Sequence, residues 1–534
     1  MSRLLSRVVG PVGVLVVLSV ALAPLLSQPS ARVNADPLHL AGDRLSSTVL
    51  LLLAGIVAGT VLWLPIAVIA TLERRMARLV SVPGAVVAQA LAPFVTGLAL
   101  LLGLGVRTRL FPLSGSGTLA HLVLPSLALA GVLGGLLCHA TYLRTVRRDT
   151  AEAAGQAAGD APWPLDVADS WLDTISRYAG TLVGAAIVVE LVFGQPGVGR
   201  LLVEAVFTRD QPVMAAALVR LVTISTVVTA LFGVGAAITS WRLDLTQRKD
   251  ARSQPTAADT VESVTHWSVE RRWPAVSVLV LGAALLAGLL ALTAGAGADP
   301  MRQNIADRLA GPGVNGHLLG TDPIGRDVAA RIAHSLLTPL WLVAGATFAA
   351  AFVGVTLGAI GAAFRIGDVL VSLLVDSAQV VPAIAFGLVA ASILGPGVVT
   401  LGVVVSVVMT FALTRLTRDA AGAAWAGGRR QLRPALGAVA LALLVGMSTA
   451  LVLVATLDFL GVGTLPPTPS LGGMMSDGRA YLTTAPWLLE YPALTLTTLV
   501  ASLLLMGYGA FGLLRPSVPP RHEAVAEPVA PAIA

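Results

Sequence analysis

The chain has 534 residues, of which 56% are hydrophobic and only 12% are charged, with a mean hydropathy of +0.83. A soluble globular protein carries about 25% charged residues, so this composition predicts a polytopic membrane protein. The basic excess is almost all arginine and forms no cluster alternating with aromatic residues, which argues against a nucleic-acid partner. The single cysteine, Cys138, excludes a disulfide framework within the chain.

Twelve apolar runs are long enough to span a bilayer. They lie at 9–27, 49–71, 83–104, 120–141, 178–194, 213–240, 274–297, 337–363, 369–394, 398–414, 434–457 and 491–514. With the N-terminus placed in the cytoplasm, 23 of the 35 Lys and Arg residues fall in cytoplasmic segments. This bias satisfies the positive-inside rule and predicts that both termini are cytoplasmic.

These spans predict an all-α polytopic membrane protein made of two six-span halves, 1–241 and 274–516. Polar residues 242–273 are predicted to form a flexible cytoplasmic linker, and 517–534 a disordered cytoplasmic tail. The first run also resembles a secretory signal peptide, because arginines precede it. Its apolar core is longer than the usual 7–15 residues of such a peptide, so we favour a retained span.

One sequence plan occurs twice, at 187–214 and at 454–487. Each copy ends an apolar helix with one acid, Glu190 or Asp458, and a nearby phenylalanine, Phe193 or Phe459. A Gly/Pro break, a short half-apolar segment, a proline and a last apolar helix follow. Neither short segment has enough apolar residues to span a bilayer. Each therefore predicts a short helix at one membrane surface between two spanning helices.

Several other acidic residues have two possible interpretations, one purely structural and one functional. Asp376 lies within the span 369–394, where a carboxylate is costly and marks a pathway, unless it reaches water near the cytoplasmic third. Asp166, Asp169 and Asp173 share one helix face by their spacing. That face is predicted either to be solvated or to be offered to a cytoplasmic partner.

The loop between the first two spans of the second half predicts a locally paired helix start, with Pro323 near its first turn. The charged residues of this helix start are Asp322, Arg326, Asp327 and Arg331. His317 and His334 are 17 residues apart, without a cysteine or nearby carboxylate pairing, and His121 has no second ligand at helical spacing. We therefore predict no metal site and interpret His121 as an interfacial histidine.

The chain contains no GxxxxGK[ST] phosphate loop and no HExxH, CxxC or GxSxG motif. No catalytic constellation is evident, so the sequence does not predict an enzyme. Uphill movement of a solute would therefore draw its energy from another protein.

Four long motifs resemble one known family. HLLGTDPIGRDVAARIAHSLLTPLWLVAGA and LDFLGVGTLPPTPSLGGMMSDGRAYLTTAPW resemble one permease subunit of the dipeptide/oligopeptide/nickel class of ATP-binding-cassette importers. FPLSGSGTLAHLVLPSLALAG and VVELVFGQPGVGRLLVEAVFTRDQPV resemble the other permease subunit. The chain therefore resembles a natural fusion of the two permeases, with the type I importer fold.

The resemblance implies the partners and the energy source. Two cytoplasmic ATPase subunits, or one fused ATPase, would dock on the inside loops, and an extracytoplasmic solute-binding lipoprotein would deliver substrate. ATP and Mg²⁺ would bind to the ATPase subunits, and this chain would bind no cofactor or metal. The implied location is the bacterial cytoplasmic membrane. The substrate, whether a dipeptide, an oligopeptide, nickel or a similar small solute, stays open.

The resemblance also assigns an ATPase-coupling helix to the loop before the fifth span. Here EAAGQAAG at 152–159 matches its Ala/Gly core, but the continuation, basic in the family, is acidic. The second-half loop at 418–428 is much shorter than in the family. We hypothesise a one-sided or altered coupling interface. The coupling residues implied are Glu152, Ala153, Ala154, Gly155, Gly159, Arg418 and Asp419.

The repeated plan corresponds in the family to the outer gate and the surface that contacts the binding protein. The residues implied are Glu190, Phe193, Gly197, Gly199, Arg209, Asp210, Asp458, Phe459 and Asp477, with Asp376 in the pathway. Two rival functions remain open from the sequence. One is a decayed permease that acts as a non-transporting scaffold or sensor, and the other is a secondary transporter driven by an ion gradient.

Overall fold

The computed structural model describes residues 2–28, 36–72, 74–112, 115, 118–153, 163–250, 272–295, 299–363, 365–427 and 432–514. Within these ranges the chain is all-α, without a β-strand. The first half comprises α1 Ser2–Leu26, α2 Pro37–Asp43, α3 Leu45–Leu72, α4 Arg74–Ala90, α5 Pro93–Leu100, α6 Ala120–Ala153, α7 Trp163–Arg177, α8 Ala179–Phe193, α9 Val198–Thr208 and α10 Gln211–Asp250. The second half comprises α11 Arg272–Gly295, α12 Val328–Ala363, α13 Arg365–Ala378, α14 Ala383–Leu394, α15 Val398–Gly427, α16 Leu432–Phe459, α17 Leu471–Gly478 and α18 Trp487–Leu514.

The described ranges contain nine helices that are long and apolar enough to cross a membrane, or eleven if each of two bent helix pairs counts as one span. The nine lie in α1, α2 joined to α3, α6, α10, α11, α12, α15, α16 and α18. The predicted all-α polytopic fold is therefore confirmed. The predicted spans 83–104 and 369–394 are each broken into two helices, whereas 178–194 corresponds to the 15-residue helix α8, which is counted as a span only together with α7.

Proline breaks the third predicted span of each half. Residues Ser81–Ala90 and Pro93–Arg107 meet at 84°, and a π-helical turn, Leu101–Arg107, continues α5. In the second half, Pro382 caps the 12-residue helix α14, four residues after the end of α13. Proline has no N–H to donate and disfavours helical geometry in the residue before it. The two breaks therefore have the same local cause.

The acidic face of α7 packs against other helices, so the interpretation of its aspartates as a solvated face is wrong. Asp169 accepts hydrogen bonds from the Arg144 guanidinium in α6, at 2.9 Å, and from the Thr239 hydroxyl in α10, at 2.9 Å. Asp173 pairs with Arg177 at 2.7 Å. Trp171 is buried on the same helix. The helix α7 is thus packed into the first half and meets α8 at 65°.

Several helices extend beyond the predicted spans. The helix α10 continues to Asp250, so the predicted linker 242–273 begins as helix, and 251–271 lie outside the described residues. The helix α6 includes Glu152 and Ala153, whereas Ala154, Gly155 and Gly159 lie outside the described residues. Arg418 and Asp419 lie in the C-terminal part of α15. The predicted tail, 517–534, also lies outside the described residues.

The two halves repeat part of their packing. The first helix of each half packs on the last, α1 on α10 and α11 on α18. The helix of the second predicted span packs on the helix of the fourth, α3 on α6 in the first half and α12 on α15 in the second. Between the halves, α1 packs on α13, α4 on α18, and α14 on α8 and α9. A continuous buried apolar core runs through both halves.

Small residues allow close approach at the seam, the surface where α1 packs on α13, α4 on α18, and α14 on α8 and α9. A Cβ at Gly180, near the start of α8, would lie 2.2 Å from the Gln379 carbonyl oxygen beside the proline break. A Cβ at Gly10 in α1 would lie 2.6 Å from the Ser377 hydroxyl oxygen. The seam therefore tolerates no added side-chain atom at these two glycines without a local shift.

Candidate functional site

The acid of the first repeated stretch lies in a fully buried hydrogen-bond network. Glu190, in the last turn of α8, accepts a hydrogen bond from the Thr48 hydroxyl at 2.6 Å and from the N–H of Arg200 at 3.0 Å. The Thr48 oxygen in turn accepts from the N–H of Val198 at 2.8 Å. The carboxylate thus joins α3, α8 and the first turn of α9, where orphan backbone N–H groups need acceptors.

Two predicted glycines make room for this carboxylate. A Cβ at Gly197 would lie 2.1 Å from the Glu190 Cδ. A Cβ at Gly199 would lie 2.6 Å from the Ile187 Cα and 2.9 Å from a Glu190 oxygen. The short helix α9 therefore lies directly against the end of α8, and the glycines are required by this close approach rather than by unusual dihedral angles.

The second half builds the same arrangement from different residues. Asp458, in the last turn of α16, is buried and accepts from the N–H of Thr464 at 2.6 Å. A Cβ at Gly463 would lie 2.1 Å from an Asp458 oxygen, and one at Gly472 would lie 2.0 Å from the Ala455 carbonyl oxygen. The Ser470 hydroxyl caps α17 by accepting from the N–H of Gly473 at 3.2 Å.

The helices α8 and α16 are each followed by a glycine in the left-handed conformation, Gly194 with φ of 68° after α8 and Gly461 with φ of 80° after α16. The N–H of the next residue returns to a carbonyl in the last turn, Gln195 to Glu190 at 2.9 Å and Val462 to Leu457 at 3.1 Å. The predicted order of acid, break, short helix and long helix is therefore confirmed in both halves.

An aromatic contact joins the two halves next to these acids. The rings of Phe94 in α5 and Phe459 in α16 stack with centroids 4.9 Å apart. Both side chains are buried, as is Phe193 at the end of α8. A Cβ at Gly97 would lie 3.2 Å from the Phe193 ring, so the segment after the proline break in α5 packs against the end of α8.

A guanidinium from the second half binds the end of α8 in the first half. Arg479, directly after α17, donates to the carbonyls of Val192, at 2.7 Å, and Leu191, at 3.1 Å. Arg200 donates to the neighbouring Gly194 carbonyl at 3.0 Å. Burial, followed by the charge of Arg200, lowers the pKa of Arg479 from its ordinary value. Two cations thus share the C-terminal end of α8, where the helix dipole is negative.

The remaining predicted residues lie at other points of the fold. Arg209 ends α9 in a left-handed conformation with φ of 56°, and Asp210 accepts from the N–H of Val213 at the start of α10. Asp477, on α17, interacts electrostatically with Arg331. Asp376 lies in α13, the helix that packs on α1.

The charged residues predicted at a helix start instead organise the turn before α12. Asp322 accepts from the N–H groups of Ile324 and Arg326 and pairs with the Arg326 and Arg331 guanidinium groups. Burial acts to raise the pKa of Asp322, but the hydrogen bonds and charge of Arg326 outweigh it and leave that pKa below its ordinary value. Pro323 stands in this turn rather than in the helix, which begins at Val328.

The prediction that His317 has no nearby carboxylate pairing is wrong. The ring Nδ1 lies 2.7 Å from an Asp327 oxygen, and Nε2 lies 3.5 Å from an Asp307 oxygen. The Asp327 hydrogen bond raises the pKa of His317 above its ordinary value, and Asp307 adds to this effect. The two carboxylates lie at different ring nitrogens, so they do not converge on one metal position. His334 instead contacts the Ala330 carbonyl in its own helix.

Three residues that the sequence did not single out complete the site, namely Thr48, Phe94 and Arg479. Only Phe94 carried a local signal, because it follows the proline that breaks the third span. A further contact between the halves was also missed. The ring Nδ1 of His139 lies 2.6 Å from the Tyr508 hydroxyl, and Tyr142 packs edge-on against Tyr508.

His121 is tied to the same end of the first half. Its ring Nδ1 lies 2.6 Å from the Thr118 hydroxyl, and its backbone carbonyl accepts from the Gln195 side chain at 3.2 Å. The histidine thus supports the turn after α8, and its ring has a hydroxyl rather than a carboxylate for a neighbour.

The fold and this seam define a multi-pass, all-α membrane protein with two similarly built halves. The chain is 33% identical to the dipeptide transport system permease protein DppC of Haemophilus influenzae, over 41% of this chain and 82% of that protein. It is 31% identical to DppC of Escherichia coli, over 38% of this chain and 73% of that protein. A putative peptide transport system permease protein of Brucella suis is 28% identical, over 46% of this chain and 89% of that protein. No family model matches. The chain belongs to the permease family of ATP-binding-cassette peptide-transport systems.

Proposed function

We propose that this chain is the transmembrane permease component of a binding-protein-dependent importer that moves peptides or a similar small solute across the cytoplasmic membrane. The observation that carries the proposal is the similarity to DppC proteins over most of their length. The chain takes no part in ATP chemistry in this proposal. Two cytoplasmic ATPase subunits bind ATP and Mg²⁺, and an extracytoplasmic binding protein delivers the solute.

We further propose that the chain is a fusion of two permeases. Because 41% of this chain accounts for 82% of the Haemophilus protein, one whole relative corresponds to about half of this chain. Both halves also end in the same order of spanning helix, left-handed glycine, short helix and long helix. The boundaries proposed are 1–241 and 274–516, joined by 242–273.

The basic residues support an orientation for this pathway. The positive-inside rule favours cytoplasmic termini in the bacterial cytoplasmic membrane. In this orientation α9 and α17 lie at the outer surface, and Glu190 and Asp458 lie at the outer end of the seam. The contacts of Phe459 and Arg479 with the first half then form an outer gate, and Asp376 lies deeper in the pathway.

Uptake into proteoliposomes tests the proposal. The purified chain is reconstituted with candidate ATPase subunits and a candidate binding protein, and labelled dialanine uptake is measured with ATP inside. We expect uptake that requires ATP and the binding protein. Uptake driven by an ion gradient without ATP would identify a secondary transporter. Complex formation without uptake of any offered peptide or nickel would favour the non-transporting scaffold and overturn our proposal.

A second experiment tests the coupling residues. Residues 152–159 and then 418–428 are replaced by Gly/Ser, and recovery of the ATPases with the chain is measured. We expect loss of the ATPase in the first variant and a smaller loss in the second, because the second loop is shorter than in the family. Unchanged recovery in both variants would contradict docking at these loops.

A further inference from the structure

Arg479 is a half-buried cation whose only described partners are neutral. Its guanidinium donates to the Val192 and Leu191 carbonyls, and within the described part of the chain no carboxylate lies within ion-pair distance. The nearby carboxylate of Glu190 already accepts from Thr48 and from the N–H of Arg200. A partly buried charge is stabilised best by an opposite charge, so a stronger partner than a carbonyl remains to be supplied.

A second cation, Arg200 of the first half, also binds the C-terminal end of α8. Arg200 donates to the Gly194 carbonyl, two residues after Val192, and its charge acts on Arg479. The carboxylate of Glu204 is shared between the guanidinium groups of Arg200, at 2.8 Å, and Arg44, at 3.3 Å. One exposed glutamate is therefore shared by two arginines, and Arg479 has no carboxylate partner of its own among the described residues.

We propose that Arg479 and Arg200 form a receiving site for the C-terminal carboxylate of a peptide substrate. The proposal rests on the proposed transport function and names the substrate group that this end of the seam binds. Every linear peptide has one C-terminal carboxylate whatever its sequence, so the site would recognise a group that all linear peptides share. Guanidinium groups suit it, because their planar donors match both oxygens of a carboxylate.

The geometry also suggests how the site becomes available. In this structure Arg479 holds the two halves together through the carbonyls of α8. Separation of the halves breaks these two hydrogen bonds, and the freed guanidinium is left without its partners. A carboxylate then replaces the carbonyls as a charge-assisted acceptor, while water satisfies the released ends of α8. Substrate arrival and opening of the seam are thereby linked.

The first test uses the purified full chain without partners. Thermal unfolding is measured with millimolar dialanine and, in parallel, with its C-terminal amide. We expect a rise in melting temperature with the acid that exceeds the rise with the amide. The difference should vanish in Arg479→Gln and Arg200→Gln and persist in Arg302→Gln, an exposed arginine in the loop before α12. Equal shifts with acid and amide in the native chain would overturn the proposal.

The second test compares initial uptake of the acid and the amide by the reconstituted importer. The binding protein is the same throughout, so a changed acid-to-amide ratio originates in the permease. We expect the ratio to fall roughly 10- to 100-fold in Arg479→Gln, the effect of losing a charged hydrogen bond, and to recover partly in Arg479→Lys. If Arg479→Gln does not fold, Arg200→Gln decides.

The two proposals fail in different ways. Carboxylate-specific stabilisation of the purified chain without any uptake would support the receiving site and contradict the transport function. ATP-dependent uptake with an unchanged acid-to-amide ratio in both arginine variants would support transport and overturn the receiving site.

Discussion

The rings of Phe94 and Phe459 stack at a centroid distance of 4.9 Å with their planes at 21°, and they come from different halves of the chain. Phe94 follows the proline break of α5, and Phe459 follows the buried acid of α16. The stack therefore links the two local breaks in helix geometry. Separation of the halves at this end requires the rings to part.

Truncation of these rings should weaken the contact between the halves. We expect Phe94→Ala and Phe459→Ala each to lower the free energy of unfolding, and a double-mutant cycle to give a coupling of about 0.5–1.5 kcal/mol. Denaturation of the purified chain in mixed micelles provides the measurement. Phe348→Ala removes a ring that is 82% exposed and serves as the control. Strictly additive losses would show that the stack contributes no direct interaction.

Thr48 should stabilise the site through its hydroxyl. Thr48→Val keeps the shape but leaves an oxygen of Glu190 and the N–H of Val198 without this partner. Each orphaned buried group costs about 1–3 kcal/mol, and we expect a loss in this range or above in the same unfolding assay. Thr223→Val removes a hydroxyl that donates only to its own helix, at the Val219 carbonyl, and should cost much less. Equal losses for the two variants would contradict the role assigned to Thr48.

The sequence predicted the parts of the site that depend on local chemistry. Apolar runs, one acid and a Gly/Pro break indicate where a spanning helix ends, and these signals located Glu190 and Asp458 correctly. Pro93 and Pro382 carried an equally local signal for broken helices. Their runs were predicted as continuous spans because average hydropathy across a window does not register a break in direction.

Contacts between distant segments could not be predicted in this way. Arg479 meets Val192 across the seam, 287 residues away in the chain. No periodicity relates the two, because their contact depends on how the halves pack. His317 meets Asp307 and Asp327 through an irregular loop, where sequence spacing does not determine side-chain direction. Thr48 likewise contributes through the packing of α3 on α8.

Gly197 should tolerate no side chain. A methyl group there would lie 2.1 Å from the Glu190 Cδ, whereas a Cβ at Gly345 in α12 would meet nothing within 4 Å. We expect Gly197→Ala to destabilise the chain by about 1–3 kcal/mol through overpacking, and Gly345→Ala to be neutral or slightly stabilising. The backbone at Gly197 has φ of −95°, so the expected loss is steric rather than conformational. A Gly197→Ala variant as stable as Gly345→Ala would show that the carboxylate moves aside at little cost.

His317 should make the loop before α12 sensitive to pH. Its pKa is raised in the folded chain, chiefly by the hydrogen bond to Asp327. The protonated ring therefore contributes stability that is fully present below the unfolded pKa of about 6.5 and is lost as pH rises through the higher folded value. Asp327 also caps α12 by accepting from the N–H of Ala330 at 2.8 Å, so weaker pairing with His317 loosens the entry to that helix.

Amide hydrogen exchange in residues 307–330 measures this effect. We expect faster exchange as pH rises through the folded pKa, after correction for the intrinsic pH dependence of exchange. His317→Gln should remove the pH-dependent part, because a neutral amide does not titrate. His334→Gln is the matched control, since its ring contacts only the Ala330 carbonyl. The same pH-dependent part in His317→Gln and the native chain would assign it to another group. Loss of the effect in the His317 variant alone would identify the bridge to Asp307 and Asp327 as its origin, because no other described ring lies between two carboxylates.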